Sequence, residues 1–358
     1  MHARSSRTTR LEPLPPHDAA LQRVRRTVAV ALTVAGVVAA SPSLATAAAH
    51  LPRSYSVTVL GNDANSLGED VNDRGQVVGV ASDTAFWWEG GTSHFLGAGV
   101  ATGINRDGEI AGFTRNDGPR GFAWESCTTC DALRPLPSLG GGANEAWAIN
   151  DRGQLAGLSS GPAGDLRPVA WQDGTVLDIA ERTGNVTRLG IANDINDAGD
   201  VAGSTIFTSG IERDRGFVYR RGALIELPPL GTSAGTSSAM AVNDRGVVAG
   251  TSQLAPGGPV HATLWRRGAA RDLGTLPGGD LSQAEDINDA GLVVGVATRT
   301  TGGEAPLTGF VSDGRRMVDL SDLVPAGVHI TWASAINERG QITGAASPGG
   351  AVLLTPRD

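Results

Sequence analysis

Lysine is absent from this chain of 358 residues; all 29 of its basic side chains are arginine. Schiff-base chemistry and a lysine general base are thereby excluded. Cysteine is nearly absent as well, with Cys127 and Cys130 as the whole supply. A redox Cys-x-x-Cys opens a helix in a βαβ setting, and none is readable here, so the pair reads as a local disulfide pinning one hairpin after export. Histidine is sparse and scattered. His94, His261 and His329 fall in the body of the chain, His50 lies near its start, and none has a partner at zinc-ligand spacing. Gly-x-Ser-x-Gly spacing occurs at Gly157 to Gly161 and at Gly231 to Gly235, but no helix follows these or the other glycines, so they read as turns and not as a nucleophile elbow or phosphate cradles.

Long apolar runs are missing too. The longest, Thr27 to Ala40, is short for a bilayer span of about 20 residues. It follows Arg23-Val24-Arg25-Arg26 and precedes Ala45-Thr46-Ala47, the layout of an export signal. Residues 1–49 are therefore read as a signal, by the general or the twin-arginine route, with cleavage near 47–49; an uncleaved anchor is the other reading. The remainder, 50–358, is read as one secreted, extracellular domain with no membrane attachment once the signal is cut. The formal charge of the whole chain is −8, and the first 47 residues hold six arginines against two acids, so the domain alone is more acidic still. Nucleic acid is excluded as a partner on that balance.

What is abundant is glycine, 50 residues, and it recurs in register. A unit of Asn, two residues and Gly returns at Asn72/Gly75, Asn105/Gly108, Asn150/Gly153, Asn196/Gly199, Asn243/Gly246, Asn288/Gly291 and Asn337/Gly340. A second Gly stands seven residues after each Asn. Asn caps the turn and Gly takes a positive φ without Cβ strain. A β-branched residue precedes each Asn, and Val, Ile or Leu follows five residues later, which gives two strands sharing a buried face. Four residues before each Asn the side chain is Gly or Ala, which predicts close approach of a neighbouring sheet.

A third strand follows each hairpin, as at Ala85-Phe86-Trp87-Trp88, Gly121-Phe122-Ala123-Trp124 and Ala262-Thr263-Leu264-Trp265, and a short fourth strand after it. Four strands per roughly 45 residues is the period of a propeller blade. The spacing predicts an all-β fold, a seven-bladed β-propeller, with blades near 66–99, 100–143, 144–190, 191–236, 237–282, 283–330 and 331–358. The last has no fourth strand of its own, and 54–61 looks like one without a blade, so pairing the two closes the ring and removes open edges. An open β-solenoid is the alternative architecture. The recurring Trp87, Trp88, Trp124, Trp171 and Trp265 are read as core, whereas Trp147 and Trp332 precede hairpins, on innermost strands, and are candidates for ligand stacking.

Asp-x-Asn at Asp70, Asp194 and Asp286 imitates the start of a calcium loop, but the later carboxylates are mostly missing even in the fullest case, Asp194, Asn196 and Asp200. No cofactor or metal is expected.

Units such as Ala284 to Gly295, and His261-Ala262-Thr263-Leu264-Trp265, resemble the HAF-type extracellular repeats, and the resemblance runs through nearly all of 50–358. It implies a secreted bacterial repeat protein and transfers no catalytic residue. The initial His-Ala is kept at His261 and is replaced by Gly-Phe or Pro-Val elsewhere.

Binding is expected on the variable loops, where Arg115, Arg120, Arg167, Arg213, Arg215 and Arg299, with His261, offer groups for carboxylates or for sulfated or uronic sugars. The function expected is that of a monomeric, non-catalytic binding or adhesion scaffold for an extracellular glycan or protein. The alternative is a secreted polysaccharide hydrolase or lyase acting at the channel, to be recognised by paired carboxylates or a His-carboxylate set there.

Overall fold

Alternating apolar and small residues make strands along the whole domain, and each Asn-x-x-Gly segment turns one strand back on the next. At Asn72 the side-chain Oδ1 accepts the backbone N–H of Arg74 and Gln76 (3.0 and 3.1 Å), and the Gly75 N–H donates to Asn72 O. Gly75, Gly108, Gly153, Gly199, Gly246, Gly291 and Gly340 all have φ between 70° and 89°. The second glycine of the unit has a separate cause. A bulge in the preceding strand brings a carbonyl so close that a Cβ on Gly157 would lie 2.0 Å from Glu145 O, and one on Gly295 2.0 Å from Gln283 O.

The computed structural model describes residues 50–357 except 62, 116–117, 125–132, 184–189, 208–212 and 303–304. The expected signal at 1–49 and the Cys127/Cys130 pair lie outside the described residues. Strands β1 (Ser54–Val59) to β27 (Gly350–Arg357) are joined as antiparallel up-and-down meanders. They make, among the described residues, five sheets of four strands and one of seven. Among the described residues helix is confined to α1 (Ile179–Thr183) and a 3₁₀ turn at Leu320–Asp322. No helix among the described residues is long and apolar enough to cross a membrane.

The seven-stranded sheet departs from the expected boundary at 99/100. Asn72 and Asn105 are 33 residues apart, against 45 to 49 for the other neighbours, so no residues remain for a connecting loop. Strand β5 (Thr92–Ile104) runs across the boundary instead. Its first half pairs with β4 (Thr84–Glu89) and its second with β6 (Ile110–Thr114).

The first strand of each meander faces its counterparts on either side: β2 (Ser66–Val71), β5, β9 (Asn144–Ile149), β13 (Gly190–Ile195), β17 (Ser237–Val242), β21 (Ser282–Ile287) and β25 (His329–Ile336). The series is cyclic, because β25 also packs on β2. These strands therefore stand around a common axis, the arrangement of a β-propeller. Strand β1 completes the last sheet by pairing with β27 from Ser54↔Arg357 to Val59↔Val352. An open stack would leave these two ends apart, so the solenoid alternative does not describe the chain.

The apolar core lies between sheets and not at one centre. In one such layer Ala202, Val218 and Leu227 of one sheet meet Ala239, Val242, Val248 and Trp265 of the next. The indole N–H of Trp265 donates to Pro228 O, and that of Trp171 to Pro137 O, both at 2.7 Å. Each Trp is 1% exposed and ties its sheet to the preceding meander; truncation of such a residue costs about 3–5 kcal/mol.

Candidate functional site

The axis has two chemically different ends. At the Asn-turn end the Asn side chains do more than cap. Asn72 Nδ2 donates to Asn105 O (3.0 Å), Asn105 to Asn150 O, Asn150 to Asn196 O, Asn196 to Asn243 O, Asn243 to Asn288 O, Asn288 to Asn337 O, and Asn337 back to Asn72 O (2.8 Å). The next residue in each unit forms a second circuit. Asp151 accepts the Arg106 backbone N–H (2.7 Å), Asp197 that of Asp151, Asp244 that of Asp197, Asp289 that of Asp244, Glu338 that of Asp289, and Asp73 that of Glu338. Arg106 stands where a further carboxylate would complete it.

Three more carboxylates lie beneath. Asp70 accepts the N–H groups of Val71 and Ile104, Asp194 those of Ile195 and Val242, and Asp286 those of Ile287 and Ile336, all at 2.7–2.8 Å. Each thus bridges one inner strand to the next. Asp194 and Asp286 meet water through an axial cavity of about 210 Å³. Burial raises the carboxyls of Asp70 and Asp194 to about 6, against the stabilising N–H bonds. Burial and then repulsion from Asp194 raise Asp286 to about 8. Among the described residues no group of three or more His, Cys, Asp or Glu is arranged to hold a metal ion. Within the calcium-like set, Asn196 caps its turn and Asp200 is paired with Arg220 Nε at 2.7 Å.

At the other end a cavity of about 100 Å³ is lined by the residue three before each Asn. Around the ring these are Glu69, Thr102, Trp147, Asn193, Met240, Glu285 and Ser334, and Trp332 joins them. The flanking positions repeat, but this one is different in nearly every unit. Trp147 packs on Phe113 with ring centroids 5.4 Å apart. Its N–H is directed at Glu145, whose carboxyl burial lifts to about 7 against the pull of Arg115 and of that N–H. Glu145 Oε2 is buried without a hydrogen bond.

Of the residues singled out from sequence, Trp147 and Trp332 line one cavity and the others are dispersed around the rim. Arg167, Arg215 and His261 occupy one repeat position, the start of the third strand, and each holds an acid on the fourth strand eleven residues later: Asp178 (2.8 Å), Glu226 (2.9 Å) and Asp272 (3.0 Å). Thr308 holds Asp319 in the same way (2.9 Å). Arg215 is 2% exposed and also donates to the carbonyls of Ser233 and Gly235. Arg299 is paired with Asp319 and Asp322, Arg115 with Asp83, and Arg120 with Gly142 O. Arg213 begins β15 (Arg213–Arg220), with its backbone paired to Phe207. The guanidinium groups of Arg115, Arg120, Arg167, Arg215 and Arg299 are thus occupied by partners within the chain. The shared spacing of eleven was the signal in the sequence that distinguishes a clamp from a ligand contact.

No family model matches the chain, and a search of curated proteins found no relative. Among solved structures it is similar to a gluconolactonase from Xanthomonas campestris (13% identity, 84% of this chain and 89% of that one, TM-score 0.40). It is also similar to an acylaminoacyl peptidase from Pyrococcus horikoshii (15%, 71% and 44%, TM-score 0.47) and to the β-propeller domain of the Trilobed protease from Pyrococcus furiosus (12%, 75% and 99%, TM-score 0.42). With TM-scores below 0.5, these likenesses carry no argument about activity.

Proposed function

We propose that the chain is a seven-bladed propeller of the HAF-type extracellular repeat class, exported from its cell, and that it works as a non-catalytic scaffold. Its ligand, a group on an extracellular glycan or protein, enters the axial cavity lined by Trp147 and Trp332. The blade count is supported by the Asn bonds, which return to their start after seven steps, with β5 supplying strands to two blades. Export is supported by the charged, apolar and small-residue order of residues 1–49.

The observation that carries the binding reading is the contrast along each inner strand. The scaffold positions repeat, while the position facing the cavity changes from Glu to Thr, Trp, Asn, Met, Glu and Ser. Specificity resides in such variation on a rigid frame. The carboxylates of the Asn end accept backbone N–H groups between strands, and His261 is a clamp, so neither offers a free acid-base pair. The test is co-sedimentation of the purified chain with cell-wall and exopolysaccharide fractions, with released reducing sugar measured in the same tubes. Binding without release supports the scaffold; release overturns it.

One observation favours a second reading, a hydrolase or lyase at the same end. Glu145, with a carboxyl near 7 and an unsatisfied oxygen, has the properties of a general acid. On that reading sugar release is seen and is lost in Glu145→Gln.

A further inference from the structure

The geometry points to an alkylammonium group as the occupant of the cavity remote from the Asn turns, held between the indoles of Trp147 and Trp332 and the carboxylates of Glu69 and Glu285. The inference rests on the reading of that cavity as the ligand site and gives the ligand its chemistry.

Size, charge and placement converge. A cavity of about 100 Å³ has room for about three water molecules. That admits the head of an amine. Both charged residues of the lining are acidic. Glu285 is oriented by Gln283, whose Nε2 donates to its Oε1 at 2.9 Å. Strand β25 packs between β21 and β2, so Trp332 stands between Glu285 and Glu69 around the ring, and Trp147 comes from β9, across the axis. A cation entering on the axis therefore has an indole on each side and two carboxylates beside one of them. Indole faces attract cations by about 0.5–2 kcal/mol, more when water is excluded. The Met240 thioether adds a soft, polarisable wall suited to N-methyl groups. An anion is repelled here, and a neutral apolar group would strip water from two carboxylates with nothing in return.

The test is a titration of the full chain with trimethylammonium chloride, read by tryptophan fluorescence and calorimetry, with tert-butanol as the neutral comparison and matched sodium chloride as the salt control. Saturable binding of the ammonium ion, absent for tert-butanol, supports the inference. Glu285→Gln and Glu69→Gln, which keep side-chain shape, should each weaken binding by about tenfold or more with an unchanged melting midpoint. Trp332→Leu should do the same, and the two Gln variants keep the test valid if that one fails to fold. A peptide bearing one trimethylated lysine separates the sources. If it binds more tightly than the free ion, the group belongs to a partner chain; if less tightly, to a small molecule.

No saturable response in the folded protein, an equal response to tert-butanol, or Gln variants that bind like the parent would overturn the inference. Polysaccharide co-sedimentation that persists when ammonium binding fails overturns it while leaving the scaffold intact. Ammonium binding without co-sedimentation supports it and removes the glycan ligand.

Discussion

The two ends of the axis are built by the same strands, a few residues apart, and they are chemically opposite. At the Asn end the Asn itself is the same in every repeat, and its amide is spent on the neighbouring turn. At the other end the backbone is repeated but the side chains are not. Sameness closes a ring, because each unit must meet an identical partner; variety at a fixed position serves recognition. On this comparison a residue's role follows from its place along an inner strand more than from its chemical type. Asp286 and Glu285 are adjacent acids, yet one clasps two inner strands and the other lines the cavity at the opposite end.

The largest expected effect breaks the uniform end. Asn243→Ala removes a partly buried cap that accepts the Val247 N–H and a buried bridge to Asn288 O. Leaving such groups unpaired costs about 1–3 kcal/mol each, so a loss of about 2–4 kcal/mol is expected from chemical denaturation, with the strand otherwise unchanged.

Next comes Asp286. Its carboxyl is raised from 3.8 to about 8, so between those values the folded state binds a proton that the unfolded state releases. Stability contributed by the protonated form is present below the unfolded value and is lost as pH rises through the folded one. Asp70 and Asp194, raised to about 6, act in the same direction. The melting midpoint should accordingly fall from pH 5 to pH 9. Asp286→Ala, the residue that Ala335 and Ala241 supply at the same place, should cost about 1–3 kcal/mol at pH 5 and less at pH 9, where the charge it removes is unfavourable. A variant with the same pH dependence as the parent would separate Asp286 from this effect.

A smaller effect is expected where the second circuit is interrupted. Arg106→Asn supplies an oxygen for the Asp73 N–H and gives up an exposed ion pair with Asp151 at 3.5 Å. The net gain should be under about 1 kcal/mol, seen as a small rise in melting midpoint.

Much of the ring was legible because its signals are local. Asn72 and Gly75 sit in one turn, and Trp171 sits in one strand, so spacing alone assigns them. The tail of β1 was legible by subtraction, since the last repeat lacked a strand. What escaped depends on residues far apart. The Asn72 amide meets a carbonyl 33 residues on, and Asn337 one that is 265 residues back. Nothing in a single turn reports that second bond. Arg167, Arg215 and His261 were read as ligand contacts because a loop arginine looks the same whether its acid is a sugar or Asp178. Trp147 and Trp332 could be set apart by position, but the mixed lining around them emerged only when strands from every repeat were brought to one axis.

The most direct test compares a residue of β21 with the Asn that follows that strand in one experiment: melting midpoint and trimethylammonium binding for Glu285→Gln and Asn288→Ala. The account predicts that Glu285→Gln keeps the midpoint and loses binding, while Asn288→Ala lowers the midpoint and its folded fraction binds like the parent. A destabilised Glu285→Gln that still binds, or a stable Asn288→Ala that does not, would contradict the division of labour between the two ends.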